Sequence, residues 1–374
     1  MIWRCDLVPQ YEAYKAEIDE AINKVFYSGQ YTLGKNVEEF EKEFSEYIGC
    51  KYGVGVNSGT DALILALWCF DIEKGDEIIT TPFTAIPTYS AIRHVGATPI
   101  FVDIEPDTFL MDLDKIANAV TEKTRAIVPV HLFGNVVDIE KLRNIVGSDI
   151  FILEDCAQAH GASIRGTNAG SIGDISAFSF YPTKNLGGYG DGGMVITDNP
   201  EWNDLIRKRR MYGMINKDEF VIDGINSRLD ELQATILRVK LKHLEEMNKK
   251  RVELAELYNG NIIKEFIRPQ AVKDNVKSVY HVYSAICKER RDDLVEYLMG
   301  KDIQSNVYYP MPLTSQVGYK KVFGKTDNLP VTVDVSKKII AFPFYPEISK
   351  EILDLVVKTI DEFFSVYKVD SLYE

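Results

Sequence analysis

Short apolar segments alternate with amphipathic segments through the middle of the chain, between residues 53 and 197. The apolar segments are rich in Val, Ile and Phe and are predicted as strands at 53–56, 77–80, 98–102, 126–130, 151–154, 175–180 and 194–197. Most intervening segments repeat apolar residues at helical spacing and are predicted as helices at 61–70, 86–95, 113–120 and 139–146. This alternation predicts an α/β fold in which a mostly parallel seven-stranded sheet carries helices on both faces and binds ligands at the carboxyl ends of its strands.

The pattern changes on either side of this region. Residues 10–48 are predicted to form two charged amphipathic helices separated by the segment 28–34. Residues 228–259 form a long charged stretch with leucines along one side, which predicts a single helix. We therefore predict a large domain over residues 1–245 and a smaller α+β domain over residues 246–374, connected by this helix.

Composition and charge limit the possible partners. The 374-residue chain carries 43 Lys and Arg against 56 Asp and Glu, a formal net charge of −13, so we expect no nucleic-acid partner. The longest apolar run, 62–70, is too short to cross a bilayer and the amino terminus shows no apolar signal segment, so we expect no membrane partner. The five cysteines are scattered without a CxxC pair and the five histidines lack metal-ligand spacing, which predicts a reduced, cytoplasmic protein without a metal site.

A lysine in a glycine-rich loop is the first candidate for chemistry. Lys184 lies between two predicted strands, and five glycines follow it between residues 187 and 193. The strands would fix the lysine, while glycines let a backbone approach a ligand closely. A lysine presented in this way suits Schiff-base chemistry with a carbonyl compound or pyridoxal phosphate. The alternative is a solvated loop lysine among ordinary glycine turns.

A second candidate is the segment 57–63, which follows a predicted strand and opens a predicted helix. Ser58 and Thr60 are natural N-cap residues, and Gly59 allows close backbone approach. Free amides at a helix start bind phosphate together with the helix dipole. The segment lacks the Lys-Ser/Thr ending of a Walker loop, and an ordinary capped helix is the alternative.

The strand predicted at 151–154 leads into a third candidate, the acids Glu154 and Asp155. An acid at the carboxyl end of a strand lies at the ligand-binding edge of the sheet. An Asp facing a pyridine nitrogen keeps that nitrogen protonated, which makes the ring an electron sink. Metal ligation and a helix N-cap remain alternatives for Asp155.

The order and spacing of these three candidates resemble the aspartate-aminotransferase fold group of pyridoxal-phosphate enzymes, and within it the sugar-nucleotide aminotransferases of the DegT/DnrJ/StrS family. The resemblance covers about residues 5 to 365. It is carried by the stretches 29–34, 40–44, 58–63, 75–82, 96–99, 101–104, 131–134, 154–161, 179–187 and 226–234.

The resemblance implies a role for each cofactor-binding residue. Lys184 would bind pyridoxal 5'-phosphate covalently, Asp155 would pair with its ring nitrogen, and Gln158 would lie beside the ring. The phosphate would be held by Gly59, Thr60, the Asp61 amide and Ser179, with Asn226 reaching it from the partner subunit of a homodimer with shared active sites.

Substrate-binding roles are implied for Tyr31, Tyr181, Arg228 and Tyr309, and a surface helix arginine is the alternative for Arg228. One position departs from the family: Ala85 stands where an aromatic residue usually stacks on the cofactor ring. Phe83 or another ring could replace it, or the face could be left open.

Other groups have two interpretations each. His131 and His160 could be general bases, which Lys184 makes unnecessary, or hydrogen-bonded wall residues. The basic run 207–210 could meet a nucleotide diphosphate or form a solvated helix face.

The implied reaction is a ping-pong transamination from L-glutamate to a nucleoside-diphosphate keto-sugar, with pyridoxamine phosphate as the intermediate form of the cofactor. Carbon 3 of a dTDP- or UDP-keto-deoxysugar is favoured over carbon 4. One alternative is a sugar-nucleotide dehydratase of the same fold, although those relatives carry histidine at the position of Lys184. The other is a non-catalytic regulator on the same scaffold.

Overall fold

A computed structural model describes residues 1–324 and 327–370 of the chain. Its α-helices are α1 (Val8–Ser28), α2 (Lys35–Ile48), α3 (Gly59–Leu67), α4 (Ile86–His94), α5 (Ile116–Ala119), α6 (Ile139–Val146), α7 (Pro200–Arg209), α8 (Glu231–Leu241), α9 (Leu244–Asn261), α10 (Arg291–Gly300), α11 (Val317–Phe323), α12 (Pro330–Lys338) and α13 (Lys350–Asp370). Its strands are β1 (Tyr52–Val56), β2 (Glu77–Thr80), β3 (Thr98–Phe101), β4 (Thr124–Val128), β5 (Phe151–Asp155), β6 (Ser163–Ile164), β7 (Thr167–Asn168), β8 (Ile175–Ser179), β9 (Gly193–Thr197), β10 (Met214–Asn216), β11 (Glu219–Phe220), β12 (Ile267–Pro269), β13 (Val276–Lys277), β14 (Tyr283–Cys287) and β15 (Ile339–Phe342).

The seven predicted strands form one sheet in the order β1-β9-β8-β5-β4-β2-β3. Neighbouring strands are parallel except at β9, which runs antiparallel to both β1 and β8. The strands are buried and rich in Val and Ile because helices cover both faces of such a sheet. The predicted α/β fold with a mostly parallel seven-stranded sheet is therefore confirmed.

The carboxyl ends of β1, β2, β4, β5 and β8 lie at one edge of this sheet, because these strands run in the same direction. The segments that follow them carry the three candidate groups. Helix α3 starts directly after β1 at Gly59, and the Ser58 hydroxyl caps it by accepting a 3.1 Å hydrogen bond from the Asp61 amide. The predicted N-cap role belongs to Ser58, whereas Thr60 lies inside the first turn.

The prediction of one helix over residues 228–259 is wrong. Helix α8 ends at Leu241 and α9 begins at Leu244, so the chain bends at Lys242 and His243. The His243 ring stacks on Tyr14 of α1 with 4.2 Å between centroids, and its Nε2 lies 3.0 Å from a Glu17 carboxylate oxygen. The apolar pattern of the sequence continues through Lys242 and His243, so it does not reveal this break. The contacts of His243 with α1 occur only in the folded protein.

The region after α9 builds its own core around the antiparallel sheet β12-β14-β15. Its buried apolar residues run from Leu254 to Phe364, and they come from α9, α10, α13, these strands and the segments that connect them. Leu244 and Met247, at the start of α9, pack instead with residues of the large sheet. The division at residues 245 and 246 stays a prediction, and it is supported by the way α9 takes part in both cores.

Arg207 and Arg210, the two ends of the basic run 207–210, are neither part of a solvated helix face nor a free anion site. Arg207 Nη1 and Arg210 Nη1 bind the two carboxylate oxygens of buried Glu41 at 2.8 and 2.5 Å. Both guanidinium groups also donate to backbone carbonyls of β1, those of Gly53 and Gly55. The run therefore fastens α7 to β1 and α2.

Among residues 1–324 and 327–370, we find no helix with the length and apolar character needed to span a membrane.

Candidate active site

A cavity of about 250 Å³ opens at the sheet edge described above and is called the first cavity here. The segments after β1, β2, β4, β5 and β8 all contribute to its walls. The predicted cofactor- and substrate-binding residues that line it are Gly59, Thr60, Ala85, Asp155, Gln158, Ser179, Tyr181 and Lys184.

A second cavity of about 240 Å³ adjoins the first. Ala85, Gln158, Tyr181 and Lys184 line both cavities, and the predicted substrate residue Tyr309 lines only the second. Lys184 therefore lines two adjoining cavities, one at the start of α3 and one toward the carboxyl-terminal region.

Four predicted site residues line neither cavity: Tyr31, Asp61, Asn226 and Arg228. The Asp61 amide is engaged by the Ser58 cap, and its carboxylate accepts a 2.7 Å hydrogen bond from the Ser227 hydroxyl. Tyr31 and Asn226 are exposed, and Arg228 is half-buried with Nη1 against the Met211 sulfur at 3.9 Å.

Lys184 is held by the loop backbone between β8 and β9. Its amide donates to the Tyr181 carbonyl at 2.8 Å, and the neighbouring Asn185 amide group donates to the Val279 carbonyl at 2.9 Å. Burial lowers the pKa of the Lys184 amine to about 8, and the Asp155 carboxylate opposes this shift. A lowered pKa increases the unprotonated, nucleophilic fraction of the amine at neutral pH.

The glycines after Lys184 allow close contacts within the protein, not with a ligand as the sequence suggested. A Cβ on Gly187 would lie 2.4 Å from the Pro182 carbonyl oxygen, and one on Gly193 would lie 2.3 Å from the Ser58 carbonyl oxygen. Gly193 therefore lets β9 pass directly against the start of α3. The glycines shape the loop that presents Lys184, while the two cavities are lined by side chains of other residues.

Asp155 ends β5 and contributes its carboxyl group to the first cavity. One oxygen accepts a 2.8 Å hydrogen bond from the Thr88 hydroxyl, and the other accepts a 3.2 Å bond from the Ala157 amide. Burial nevertheless raises the pKa of Asp155, although Thr88, Ala157 and the positive charge of Lys184 act against this. The buried anion is therefore incompletely compensated, and a protonated ring nitrogen in the cavity would stabilise it.

Glu154, the preceding residue, has a different environment. Its carboxylate lies 2.8 Å from His131 Nε2 and accepts backbone hydrogen bonds of 2.6 to 2.9 Å from Gly170, Ile172 and Gly173. Burial raises the pKa of Glu154, but these donors outweigh it and the pKa lies below its usual value.

His131, Glu154 and Cys156 form the one group of potential metal ligands within the described ranges. Both ring nitrogens of His131 are already engaged, Nε2 by Glu154 and Nδ1 by the Val137 amide at 3.0 Å. The Glu154 oxygens are used by backbone amides as well. This cluster is a hydrogen-bonded wall beneath the site, which agrees with the second interpretation of His131.

The start of α3 forms a cradle of the kind that a phosphate group fits. The amides of Gly59 and Thr60 lie in the first turn, where a helix has no internal acceptor for them. A Cβ on Gly59 would lie 2.6 Å from the Ser179 Cβ and 3.1 Å from its hydroxyl oxygen. Only glycine therefore lets β8 bring the Ser179 hydroxyl beside these two amides.

The Gln158 side chain lines both cavities and is held by two hydrogen bonds. Its side-chain oxygen accepts a 2.9 Å hydrogen bond from the Phe133 amide, and its nitrogen donates to the Tyr309 hydroxyl at 3.2 Å. These contacts fix the orientation of the amide and link β5 to the carboxyl-terminal region.

Phe83 does not replace the aromatic residue missing at Ala85. Its side chain is fully buried and lines neither cavity. It packs edge-to-face on Tyr309, with 5.7 Å between ring centroids. The Phe and Tyr side chains that line the two cavities are those of Tyr181, Phe133, Tyr308 and Tyr309.

His160 is buried in an aromatic cluster. Its ring centroid lies 5.4 Å from that of Phe178 and 5.8 Å from that of Phe180, and it lines neither cavity. Burial lowers the pKa of His160 to about 3. A neutral, enclosed imidazole of this kind is part of the packing around Lys184.

The sequence reasoning missed several residues at the site, among them Thr88, Arg4 and His281. Thr88 donates to Asp155, while Arg4 and His281 line the second cavity. Thr88 is distinguished only by its place in the first turn of α4, beyond the carboxyl end of β2. Arg4 and His281 reach the site from distant parts of the chain, and no local pattern marks them.

Comparison with known proteins gives concordant results. The model of the DegT/DnrJ/EryC1/StrS aminotransferase family matches residues 12–361. A "dTDP-3-amino-3,4,6-trideoxy-alpha-D-glucose transaminase" from Micromonospora megalomicea subsp. nigra is 40% identical over 94% of this chain and 96% of its own. A "pleiotropic regulatory protein" from Geobacillus stearothermophilus is 39% identical over 96% of this chain and 97% of its own.

Solved structures agree with the fold. The crystal structure of S. venezuelae DesV in complex with a ketimine intermediate has a TM-score of 0.93 and 38% identity, covering 97% of this chain and 98% of that chain. NtdA from Bacillus subtilis, with bound cofactor PMP, has a TM-score of 0.89 and 30% identity, covering 95% of this chain and 84% of that chain.

Proposed function

The chain belongs to the DegT/DnrJ/EryC1/StrS aminotransferase family, and from this premise we propose that it transfers an amino group from L-glutamate to a nucleoside-diphosphate-linked keto-sugar. The chain is an aminotransferase that uses pyridoxal 5'-phosphate, with pyridoxamine phosphate as the aminated form. The overall reaction consumes L-glutamate and the keto-sugar and yields 2-oxoglutarate and the amino sugar.

One observation carries the proposal: Lys184 and Asp155 line the same cavity, which also receives the free amides at the start of α3. The residues fit the cofactor. The Gly59 and Thr60 amides with the Ser179 hydroxyl would hold its phosphate, and the under-compensated Asp155 carboxylate would hold its protonated ring nitrogen. When bound there, the cofactor supplies an electron sink for a carbanion at the reacting carbon.

Lys184 has two tasks in this proposal. Its amine, with a pKa lowered to about 8, is the nucleophile that binds the cofactor. Once released, Nζ takes the proton from the α-carbon of L-glutamate and later delivers a proton to the sugar carbon that receives nitrogen. Because one amine serves both directions, no histidine is required as a base.

Asp155 and Gln158 orient and tune the site. Asp155 is held by Thr88 and the Ala157 amide, so its carboxylate faces one fixed place in the first cavity. Gln158 is fixed by Phe133 and Tyr309 and would lie beside the cofactor ring. Tyr181 and Tyr309 form aromatic walls, suitable for a sugar ring.

The acceptor is assigned from the relatives. Several of them are named as transaminases of dTDP-3-amino sugars, and others as aminotransferases of UDP-linked 3-oxo or 3-dehydro sugars. We therefore assign carbon 3 as the position that receives nitrogen. The nucleotide, dTDP or UDP, is left to the experiment below.

The active site is completed by a second copy of the chain in this proposal. Asn226, Arg228 and Tyr31 line neither cavity of their own chain, although they belong to stretches shared with the family. Tyr31 and Asn226 are exposed. A homodimer in which these residues reach the partner's phosphate and substrate sites would give each of them a function.

The alternatives make different predictions. A dehydratase of this fold would release the sugar hydroxyl without net consumption of glutamate, and the presence of Lys184 argues against it. A regulator is suggested by the name of the Geobacillus relative, and it would need the phosphate cradle but not Lys184 and Asp155 together.

The test is to incubate the cofactor-loaded protein with ¹⁵N-labelled L-glutamate and a panel of dTDP- and UDP-keto-sugars, and to follow the products by mass spectrometry. We expect label in one amino sugar, at carbon 3, with equimolar 2-oxoglutarate. Absence of labelled sugar across the panel would overturn the sugar acceptor, and label at carbon 4 would overturn the position.

A further inference from the structure

The amino-terminal residues approach the site along the carboxyl-terminal region. The Ile2 amide donates to the Asp302 carbonyl at 2.7 Å, and the Gln304 amide donates back to the Ile2 carbonyl at 2.9 Å. The Arg4 carbonyl accepts from the Phe344 amide at 2.9 Å, and the Arg4 amide donates to the Gln304 side chain at 3.2 Å. The backbone of Arg4 is thus fixed on both sides by residues about three hundred positions away.

The Arg4 side chain lines the second cavity together with Lys184. Its guanidinium donates to the Tyr308 hydroxyl and is half-buried. Over residues 1–324 and 327–370, no carboxylate lies within 4.0 Å of it. Among the described residues, the positive charge of this half-buried guanidinium thus has no neutralising carboxylate, and an anionic ligand would supply one.

The charge of the second cavity points to an anionic ligand. Arg4 and Lys184 are its charged lining residues, and among the described residues no Asp or Glu lines it. His281 also lines it, but burial and the charges of Lys184 and Arg251 lower the pKa of His281 well below its usual value, so its ring is neutral. The first cavity differs, because Asp155 and Asp191 line it.

We propose that Arg4 binds a carboxylate of the amino donor, namely the α-carboxylate carried by the carbon that gives up its nitrogen. This inference rests on the proposed transamination. The α-carbon has to come to Lys184 Nζ for proton transfer, and its carboxylate is one bond away, so a cation that lines the same cavity is a candidate to bind it. A guanidinium held by Tyr308 offers a planar pair of N–H donors that matches a carboxylate.

The test compares Arg4→Gln, Arg4→Lys and, as a matched control, Arg125→Gln, which removes a largely exposed arginine near Asp76. The cofactor-loaded proteins are mixed with L-glutamate without any sugar, and the conversion of the cofactor is followed by absorbance as the glutamate concentration is raised. We expect Arg4→Gln to raise the half-saturating glutamate concentration about 10-fold to 100-fold with a smaller change in the limiting rate. Arg4→Lys should lie between, and Arg125→Gln should match the parent.

Two further measurements identify the carboxylate. The parent protein should prefer L-glutamate over L-isoglutamine, which lacks the α-carboxylate, and Arg4→Gln should lose most of that preference while keeping its preference over L-glutamine. Binding of maleate, a dicarboxylate that cannot react, should weaken in parallel when measured by calorimetry.

The proposal is overturned if glutamate saturation and maleate binding are unchanged in Arg4→Gln, or if only the half-saturating concentration of the keto-sugar rises. The latter result would indicate that Arg4 binds the nucleotide diphosphate of the keto-sugar instead. Because glutamate saturation and maleate binding are measured without any sugar, they can support the proposal even if every sugar in the panel fails as an acceptor, and they can contradict it while sugar amination succeeds.

Discussion

Glu154 and Asp155 are consecutive residues of β5, and the two sides of the strand that they face are different environments. Glu154 faces a closed wall, where His131 and three backbone amides satisfy its carboxylate. Asp155 faces the first cavity with two donors, Thr88 and the Ala157 amide. The pKa of Glu154 is lowered by its donors, whereas burial raises the pKa of Asp155.

In the proposed function, Glu154 is a structural acid and Asp155 is the functional one. Both carboxylates are buried, so burial alone does not distinguish them. What differs is the number of donors supplied by the protein itself. Glu154 is complete without a ligand, while Asp155 leaves room for one more donor in the cavity, which the cofactor ring nitrogen would provide.

The largest loss of activity is expected for Lys184→Ala, which removes the amine that lines the first cavity with Asp155. We expect amino transfer from glutamate to fall by at least about 10²-fold to 10⁴-fold, because one positioned acid–base group contributes about that much. The measurement is the rate of 2-oxoglutarate formation. Lys141→Ala, which removes an exposed lysine paired with Asp114, serves as the control and should keep the parental rate.

The second test replaces each of the two acids by its amide, in separate variants. Asp155→Asn should lower the rate of transamination by at least about 10²-fold, since the neutral amide no longer keeps the ring nitrogen protonated. Its free energy of unfolding without cofactor should be unchanged or higher at neutral pH, because the cost of burying that charge disappears. Parental activity in Asp155→Asn would contradict the assignment.

Glu154→Gln should show the opposite result. Its free energy of unfolding at neutral pH should fall by about 2 to 4 kcal/mol, because four donors lose their anionic acceptor. The folded pKa of Glu154 is lowered, so its contribution is complete above the unfolded pKa of about 4.3 and disappears as pH falls through the folded value. Urea unfolding of parent and variant should therefore differ at pH 7 and converge in acid.

The pattern of the sequence was sufficient to predict the seven strands and the loop of Lys184, because each of these is a local signal. Alternating strand and helix periodicity marks β1 to β5, and the glycines mark the hairpin after β8. The positions of Asp155 and the start of α3 at one edge follow from the parallel direction of the strands.

The remaining features depend on tertiary contacts. Thr88 is one polar residue on a helix until β2 and β5 bring it to Asp155. Arg4 reaches the second cavity through hydrogen bonds to residues near positions 304 and 344, and the sequence between them carries no sign of this. The break at His243 likewise depends on its stacking against α1.

A smaller effect is expected for Thr88→Val, which removes one of the two hydrogen-bond donors to Asp155 and keeps the side-chain volume nearly constant. We expect a decrease in the transamination rate of about 10-fold or less, because the Asp155 carboxylate remains and keeps its second donor, the Ala157 amide. Thr88→Ser keeps the hydroxyl and should stay close to the parent. Equal losses in both variants would assign the effect to packing instead.

The smallest expected effect is a shift in pH dependence. Cofactor uptake by the cofactor-free protein requires the neutral Lys184 amine. The uptake rate should therefore increase with pH, and the midpoint of this increase should lie near pH 8. Asp155 favours the charged amine, and the midpoint in Asp155→Asn should therefore be lower. Uptake is followed by absorbance, and Glu154→Gln, whose changed carboxylate is held in the closed wall, should leave the midpoint in place.

The most direct test asks which amine binds the cofactor. Within the ranges that the structure describes, burial lowers the pKa of two lysines to about 8: Lys184, which faces the cavities, and Lys240, which donates to the Gly187 carbonyl behind the loop. The holoprotein is treated with borohydride to fix the lysine–cofactor linkage, digested, and mapped by mass spectrometry. The account predicts one cofactor per chain, attached to Lys184. Attachment to Lys240, or no attached cofactor in a protein that still transaminates, would contradict it.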